Sequence, residues 1–274
     1  MAGMTVGVMM SAGWTIEQLE QIKGLGFSNV QIHAPHEDIL ESSDRSKALV
    51  DAIGAVGIDV TTVFIGFSGE SYADIPTVKE TVGFLNPSTR EGRVSKSKAI
   101  SDFARQLGVD KVAAHIGFVP EKADDPAHQP MVDTVGQVAD HAGANGQILS
   151  LETGQETAPA LLRFLGDLDR QNVKINFDPA NMILYGSGEP IEALELVGDH
   201  VTSVHAKDGK WPTEEGKLGS EFPLGEGDVG IERFVTTLKK IGYSGPVTIE
   251  REIPDWDQKV KDLVEGKKLL ECYF

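Results

Sequence analysis

With Cys272 as the single cysteine among 274 residues, no disulfide can form within the chain. An oxidised, exported framework therefore has no support, and a cytoplasmic location is expected. Basic residues are scarce: 25 Lys and Arg stand against 42 Asp and Glu, a net charge of -17. Such a chain repels phosphate backbones, which argues against nucleic-acid binding. Long apolar runs are missing too. Those present are strand-length, far short of the ~20 residues that cross a bilayer, so no membrane partner is expected. Met1-Ala2-Gly3-Met4 places no basic region before an apolar stretch, so a signal peptide is not expected. No low-complexity tract or long linker occurs, and the Pro/Gly stretches are short and spread along the chain. One domain over residues 1–274 is expected. A glycine-rich nucleotide loop is also lacking, since the first strand-like run leads into Met9-Met10-Ser11-Ala12-Gly13.

What is present is a repeated alternation. Strand-like runs occur at 5–9, 29–33, 59–64, 111–115, 147–152, 175–178, 201–205 and 247–250. Helix signals follow most of them. Thr15-Ile16-Glu17-Gln18 has the capping-box form, and Gly24-Leu25-Gly26 offers a left-handed stop. Further helices are expected after Ser42-Ser43-Asp44, over 88–107, from Pro126 toward Gly146, and over 158–168, 190–198, 231–241 and 256–270. Long loops are expected after the third and seventh strands. Eight strand-then-helix units are the pattern of an α/β chain folded as a (β/α)₈ TIM barrel. An open doubly wound sheet would share the alternation. It would, however, place its phosphate loop after strand one, where none is found.

Four strand-like runs end on side chains that can bind metal: Glu152, Asp178, His205 and Glu250. A single strand-end acid often just caps the next helix. Four such groups on four successive strands of a barrel would meet above its core. Three acids converging without a cation would repel one another or take up protons. The oxygen-rich set with one imidazole fits one divalent ion, Mn²⁺ first, with Mg²⁺, Co²⁺ or Zn²⁺ as alternatives.

Leu151-Glu152-Thr153, Phe177-Asp178-Pro179-Ala180-Asn181, Val204-His205-Ala206-Lys207-Asp208, Ile249-Glu250-Arg251-Glu252 and the Gly225-Glu226-Gly227-Asp228 turn resemble the xylose isomerase-like TIM-barrel superfamily, in its sugar phosphate isomerase/epimerase branch. The resemblance implies metal ligands at Glu152, Asp178, His205 and Glu250, with Glu152 and Glu250 also the catalytic acid/base pair. It implies that a ketose carbonyl and its neighbouring hydroxyl chelate the ion, which stabilises an enediolate. One Glu then removes a proton from carbon, and the other returns one to the opposite face. A homodimer or homotetramer is also implied. The superfamily's DNA-repair endonucleases, with three zinc ions, carry a histidine where Asn181 stands, and an Asp-x-His pair absent from the Gly225 turn. That branch does not fit.

Further candidates surround the four. His115 ends strand four and is a candidate for binding a sugar hydroxyl. Glu156 resembles a substrate contact of related epimerases, although an acid at a helix start has an ordinary structural reading. Asn181 and Lys207 complete the substrate-binding set; Lys207 would neutralise an enediolate or a substrate phosphate, or simply pair with Asp208 or another acid. Arg90, Arg93, Lys96 and Lys98 cluster after strand three but read as a solvated helix face. The expected partner is a small unphosphorylated sugar or polyol, and the expected enzyme is a metal-dependent isomerase or epimerase. An inosose dehydratase-like lyase using the same metal and base is the alternative, and a non-catalytic sugar-binding barrel is the other.

Overall fold

The computed structural model describes residues 3–214 and 216–274; the Met1-Ala2 start lies outside the described residues. Strands β1 (Val6–Met10), β2 (Asn29–His33), β3 (Asp59–Ile65), β4 (Lys111–Ala114), β5 (Ile148–Glu152), β6 (Val173–Phe177) and β7 (Val201–Ala206) pair in parallel, each with the next. After the short strands β8 (Asp208–Lys210) and β9 (Ser220–Phe222) comes β10 (Val247–Ile249), which pairs with both β7 and β1. The sheet is therefore closed: the chain is a (β/α)₈ TIM barrel and not an open sheet. Strands covered on both faces carry buried runs such as Val6–Met10 and Leu149–Glu152.

The helices form where local chemistry can satisfy their ends. In α1 (Ile16–Gly24) Thr15 accepts from Gln18 N and Gln18 accepts from Thr15 N, which completes the capping box. The next helices are α2 (Glu37–Leu40) and α3 (Ser43–Val56). Ser42 caps α3, and Gly57 ends it at φ 66°, a left-handed conformation that glycine adopts without strain. Then come α4 (Ile75–Thr81), α5 (Pro87–Gln106), α6 (His128–Ala144), α7 (Ala158–Leu168), α8 (Pro179–Tyr185), α9 (Pro190–Val197), α10 (Ile231–Lys240) and α11 (Trp256–Glu271). Among the described residues no helix is long and apolar enough to cross a membrane.

Two stretches differ from the loops expected of them. After β3, Asp74 accepts from Thr77 N and starts α4. After β7, β8 and β9 form an antiparallel hairpin on the rim. Asp208 ties the base of that excursion, accepting from the backbone N–H groups of Gly209, Gly225 and Val229 at 2.9, 2.9 and 3.1 Å. A Cβ on Gly227 would come within 2.1 Å of the Asp208 carboxylate, so only glycine fits in this turn. Asp208 is thus committed to loop backbone and does not pair with Lys207.

Candidate metal centre

Glu152 is the last residue of β5, and His205 the last but one of β7. Asp178 and Glu250 follow β6 and β10 directly. The barrel brings one ligand atom from each of the four to within 4.8 Å of the others, making a cluster that could hold a metal ion. His205 Nδ1 stands at the centre, 2.9 Å from Glu152 Oε1 and 3.4 Å from both Asp178 Oδ2 and Glu250 Oε2. Asp178 and His205 are fully buried, and Glu152 nearly so.

Asp178 combines two roles that the sequence left as alternatives. Its Oδ1 accepts from Asn181 N at 2.9 Å and caps α8. Its Oδ2 faces the cluster and has no hydrogen-bond partner. The cap fixes the rotamer that aims the second oxygen inward.

The histidine is oriented from behind. Gln31 on β2 donates through Nε2 to Thr248 Oγ1 at 3.2 Å, which turns its carbonyl oxygen toward His205. His205 Nε2 lies 3.0 Å from that oxygen and must donate to it. In the neutral ring, Nδ1 then carries a lone pair facing three carboxylates. That atom, like Asp178 Oδ2, is buried and unpartnered. Lone pairs so arranged repel unless a cation or proton sits among them, so the donor set fits a divalent ion. Gln31→Leu is expected to weaken Mn²⁺ binding about 10- to 100-fold while leaving the fold intact, measured by titration calorimetry. Unchanged affinity would mean that Gln31 does not orient the ligand.

Charge in this buried space is closely coupled. Burial pushes the Asp178 carboxyl up to about 6, against the pull of Lys207 and His205. Glu250 is partly buried, which would push it up too, but Lys207 and His205 hold it well below the usual carboxylate range. Burial would push Lys207 down, yet Glu250, Glu252, Asp178 and Glu221 keep its ammonium well above its ordinary value. Its Nζ donates to Glu250 Oε2 at 2.8 Å, to Glu252 Oε2 at 2.5 Å and to Asn181 Oδ1 at 3.3 Å. Asn181 in turn donates to Glu152 Oε1 at 3.3 Å. Lys207 and Asn181 therefore bridge the two glutamates.

His115, just past β4, places Nε2 3.2 Å from Glu152 Oε2, and its own Nδ1 is buried without a partner. Glu156 is buried near Val119 and Glu121, and burial pushes its carboxyl up to about 8. At neutral pH it carries its proton and can donate. Gln31 and Glu252 were not singled out from the sequence. The alternation of Gln31 with apolar neighbours on a buried strand was the available signal for the first. Two cavities of about 560 and 510 Å³ are lined from the ends of β1 to β3, α2 and α5, and neither includes any of the four. Chemistry, and not cavity size, marks the centre.

The profile of the xylose isomerase-like TIM barrel matches residues 19–271. A crystal structure of a xylose isomerase domain protein from Planctomyces limnophilus is 45% identical, with a TM-score of 0.93, over 99% of this chain and 97% of that one. An uncharacterized protein of Methanocaldococcus jannaschii is 27% identical over 69% of this chain and 66% of its own length. An L-ribulose-5-phosphate 3-epimerase of Salmonella typhi is 25% identical over 86% of this chain and 81% of its own. The chain belongs to the xylose isomerase-like TIM-barrel family.

Proposed function

We propose that the protein is a divalent-metal-dependent ketose isomerase or epimerase that works by proton transfer next to a carbonyl. One observation carries this reading: Glu152 and Glu250, from strands separated by two others, both meet His205 Nδ1. The similarity to an L-ribulose-5-phosphate 3-epimerase supports the reaction class. Glu152, Asp178, His205 and Glu250 would hold the ion. The hard oxygen donors with one imidazole suit Mn²⁺. When bound, such an ion polarises the carbonyl and lowers the energy of the negative charge left by proton removal.

The residues of the chain then divide the work. Glu250, held ionised against burial by the Lys207 ammonium, can accept a proton from carbon at neutral pH. Glu152, contacted by Asn181 and His115, can return one from the other side. The Lys207 ammonium lies between Glu250 and Asn181, where it can neutralise developing negative charge on a substrate oxygen. Burial of Glu152, Asp178 and His205 limits competing solvent.

A panel of ketoses and inososes incubated with Mn²⁺-loaded protein in deuterated water tests this. Deuterium should enter a carbon α to the carbonyl of recovered sugar, without loss of water from the sugar. No incorporation across the panel would overturn the reading, and loss of water would move it to a dehydratase.

A further inference from the structure

A second polar ring lies beneath the four metal-competent residues. Two positions before Glu152, Asp178, His205 and Glu250 stand Ser150, Asn176, Ser203 and Thr248. Side chains two apart on a strand share a face, so these four point into the barrel one step deeper than the ligands. All four are buried. Thr62 joins them from β3: it is paired with Gln31 and stands two before Phe64, whose ring lies 5.3 Å from that of His205. Asn29 also turns inward from β2, since a Cβ on Gly7 would come within 2.1 Å of its Oδ1. The interior of such a barrel is ordinarily filled by branched apolar side chains. Here Met9, Phe64 and Ala113 form only a small apolar cluster, separate from the main core.

Some of these groups satisfy one another. Gln31 donates to Thr248 Oγ1 at 3.2 Å, and the hydroxyls of Ser150 and Thr202 lie 3.3 Å apart. Others are buried with no protein partner: Asn176 Oδ1 and Nδ2, Ser203 Oγ, Thr62 Oγ1 and Asn29 Oδ1. An orphaned buried polar atom is costly, and native interiors leave few of them bare. The chemistry of these atoms names the ligand. Asn176 presents a donor and an acceptor side by side, and the two hydroxyls can act as either. A cation would be repelled by the amide N–H groups of Asn176, and an anion by its carbonyl. Water both donates and accepts, and it is small enough for an interior built from Ser, Thr, Asn and Ala.

We infer that the barrel interior beneath the candidate metal centre binds a group of ordered water molecules, held by Asn176, Ser203, Thr62 and Asn29, and that this water solvates the buried charge of the centre from below. Register places it there. Asn176 is paired with both Glu152 and Ser203, and Ser203 stands two before His205 on the same strand. The charged groups above are shut off from solvent, with Asp178 and His205 each 0% exposed. Water dipoles that reorient beneath such a charge stabilise it, where aliphatic side chains do not. The hydration stands independently of the reaction proposed above; its effect on the ion rests on the metal reading.

Three measurements test this. A high-resolution crystal structure of the wild type should place water oxygens within hydrogen-bond distance of Asn176 Oδ1 and Nδ2, Ser203 Oγ and Thr62 Oγ1. Closure of these groups onto one another, an empty interior or a bound cation would overturn the inference. Ser203→Ala and Thr62→Val, each close in shape to the native residue, should each lower the melting temperature by about 2–4 °C, because the water is left one partner short. In a dry interior the loss of an orphaned hydroxyl would raise it, so a rise in either variant counts against water. Titration calorimetry should show Mn²⁺ binding weakened roughly 5-fold when both substitutions are combined. Unchanged affinity would overturn the role assigned to the water. A wild type that binds no Mn²⁺ would instead sink the metal reading, while the crystal and melting measurements still decide the hydration.

Discussion

Glu250→Gln and Glu152→Gln are each expected to lower interconversion of the two epimers about 10³-fold, measured with saturating Mn²⁺. Glutamine keeps the size of the side chain and one coordinating oxygen, so the change mainly removes the proton acceptor. The two variants should not be equivalent. With one glutamate acting on each face of the carbon, loss of one leaves the other able to remove and return a proton on its own face. Each variant should therefore still exchange deuterium into one epimer while failing to convert it. The epimer that retains exchange should differ between the two. This asymmetry tests the two-base arrangement directly, because simple loss of the metal would abolish exchange with both epimers. If either variant turned over at the wild-type rate, or both lost all exchange with metal bound, the paired roles of Glu152 and Glu250 would be wrong.

The barrel was legible because its strands and helix ends are set by local chemistry. The Thr15–Gln18 capping box and the glycine stop at Gly57 follow from the backbone alone. The four cluster residues were legible for a related reason: each is polar at the end of an apolar strand, where burial demands a partner. The short helices were not. α8 has seven residues, too few to show a period, and its start is defined by Asp178, already read as a ligand. The orienting residues were hidden by distance in sequence. Gln31 and His205 are 174 positions apart and meet only when β2 and β7 face each other across the closed barrel. Lys207 shows the same limit: pairing with Asp208 or another acid was expected, and the sequence does not say which acid. The fold instead gives Asp208 to three backbone N–H groups and Lys207 to Glu250 and Glu252.

The second large effect is expected from the ion itself. At a Mn²⁺ concentration about 100 times its dissociation constant, linkage adds about 2.7 kcal/mol, a rise of roughly 5–10 °C in melting temperature for a chain this long. Asp178→Asn should abolish most of that rise, since it removes the inward-facing charge but can keep the helix cap through its side-chain oxygen. The pH dependence should separate the two forms. Without metal, the carboxylates of Glu250, Glu152 and Asp178 outweigh the effect of burial and hold the His205 proton well above its ordinary range. Burial pushes Asp178 up to about 6. Both groups bind protons more tightly folded than unfolded, so their contribution to stability falls as pH rises, from about 4 to about 6 for Asp178 and higher for His205. Glu250 has the opposite sign, but its stabilisation is complete above its unfolded value of about 4.5 and adds no slope beyond that. The bound ion needs an ionised Asp178 and a neutral His205, so its affinity rises with pH and its uptake releases protons. Melting curves with and without Mn²⁺ should therefore lie close together near pH 5 and separate toward about pH 8. Titration calorimetry in buffers of different ionisation enthalpy should show net proton release near neutrality. A Mn²⁺ effect on melting that is independent of pH, or that survives Asp178→Asn, would place the ion somewhere other than this cluster.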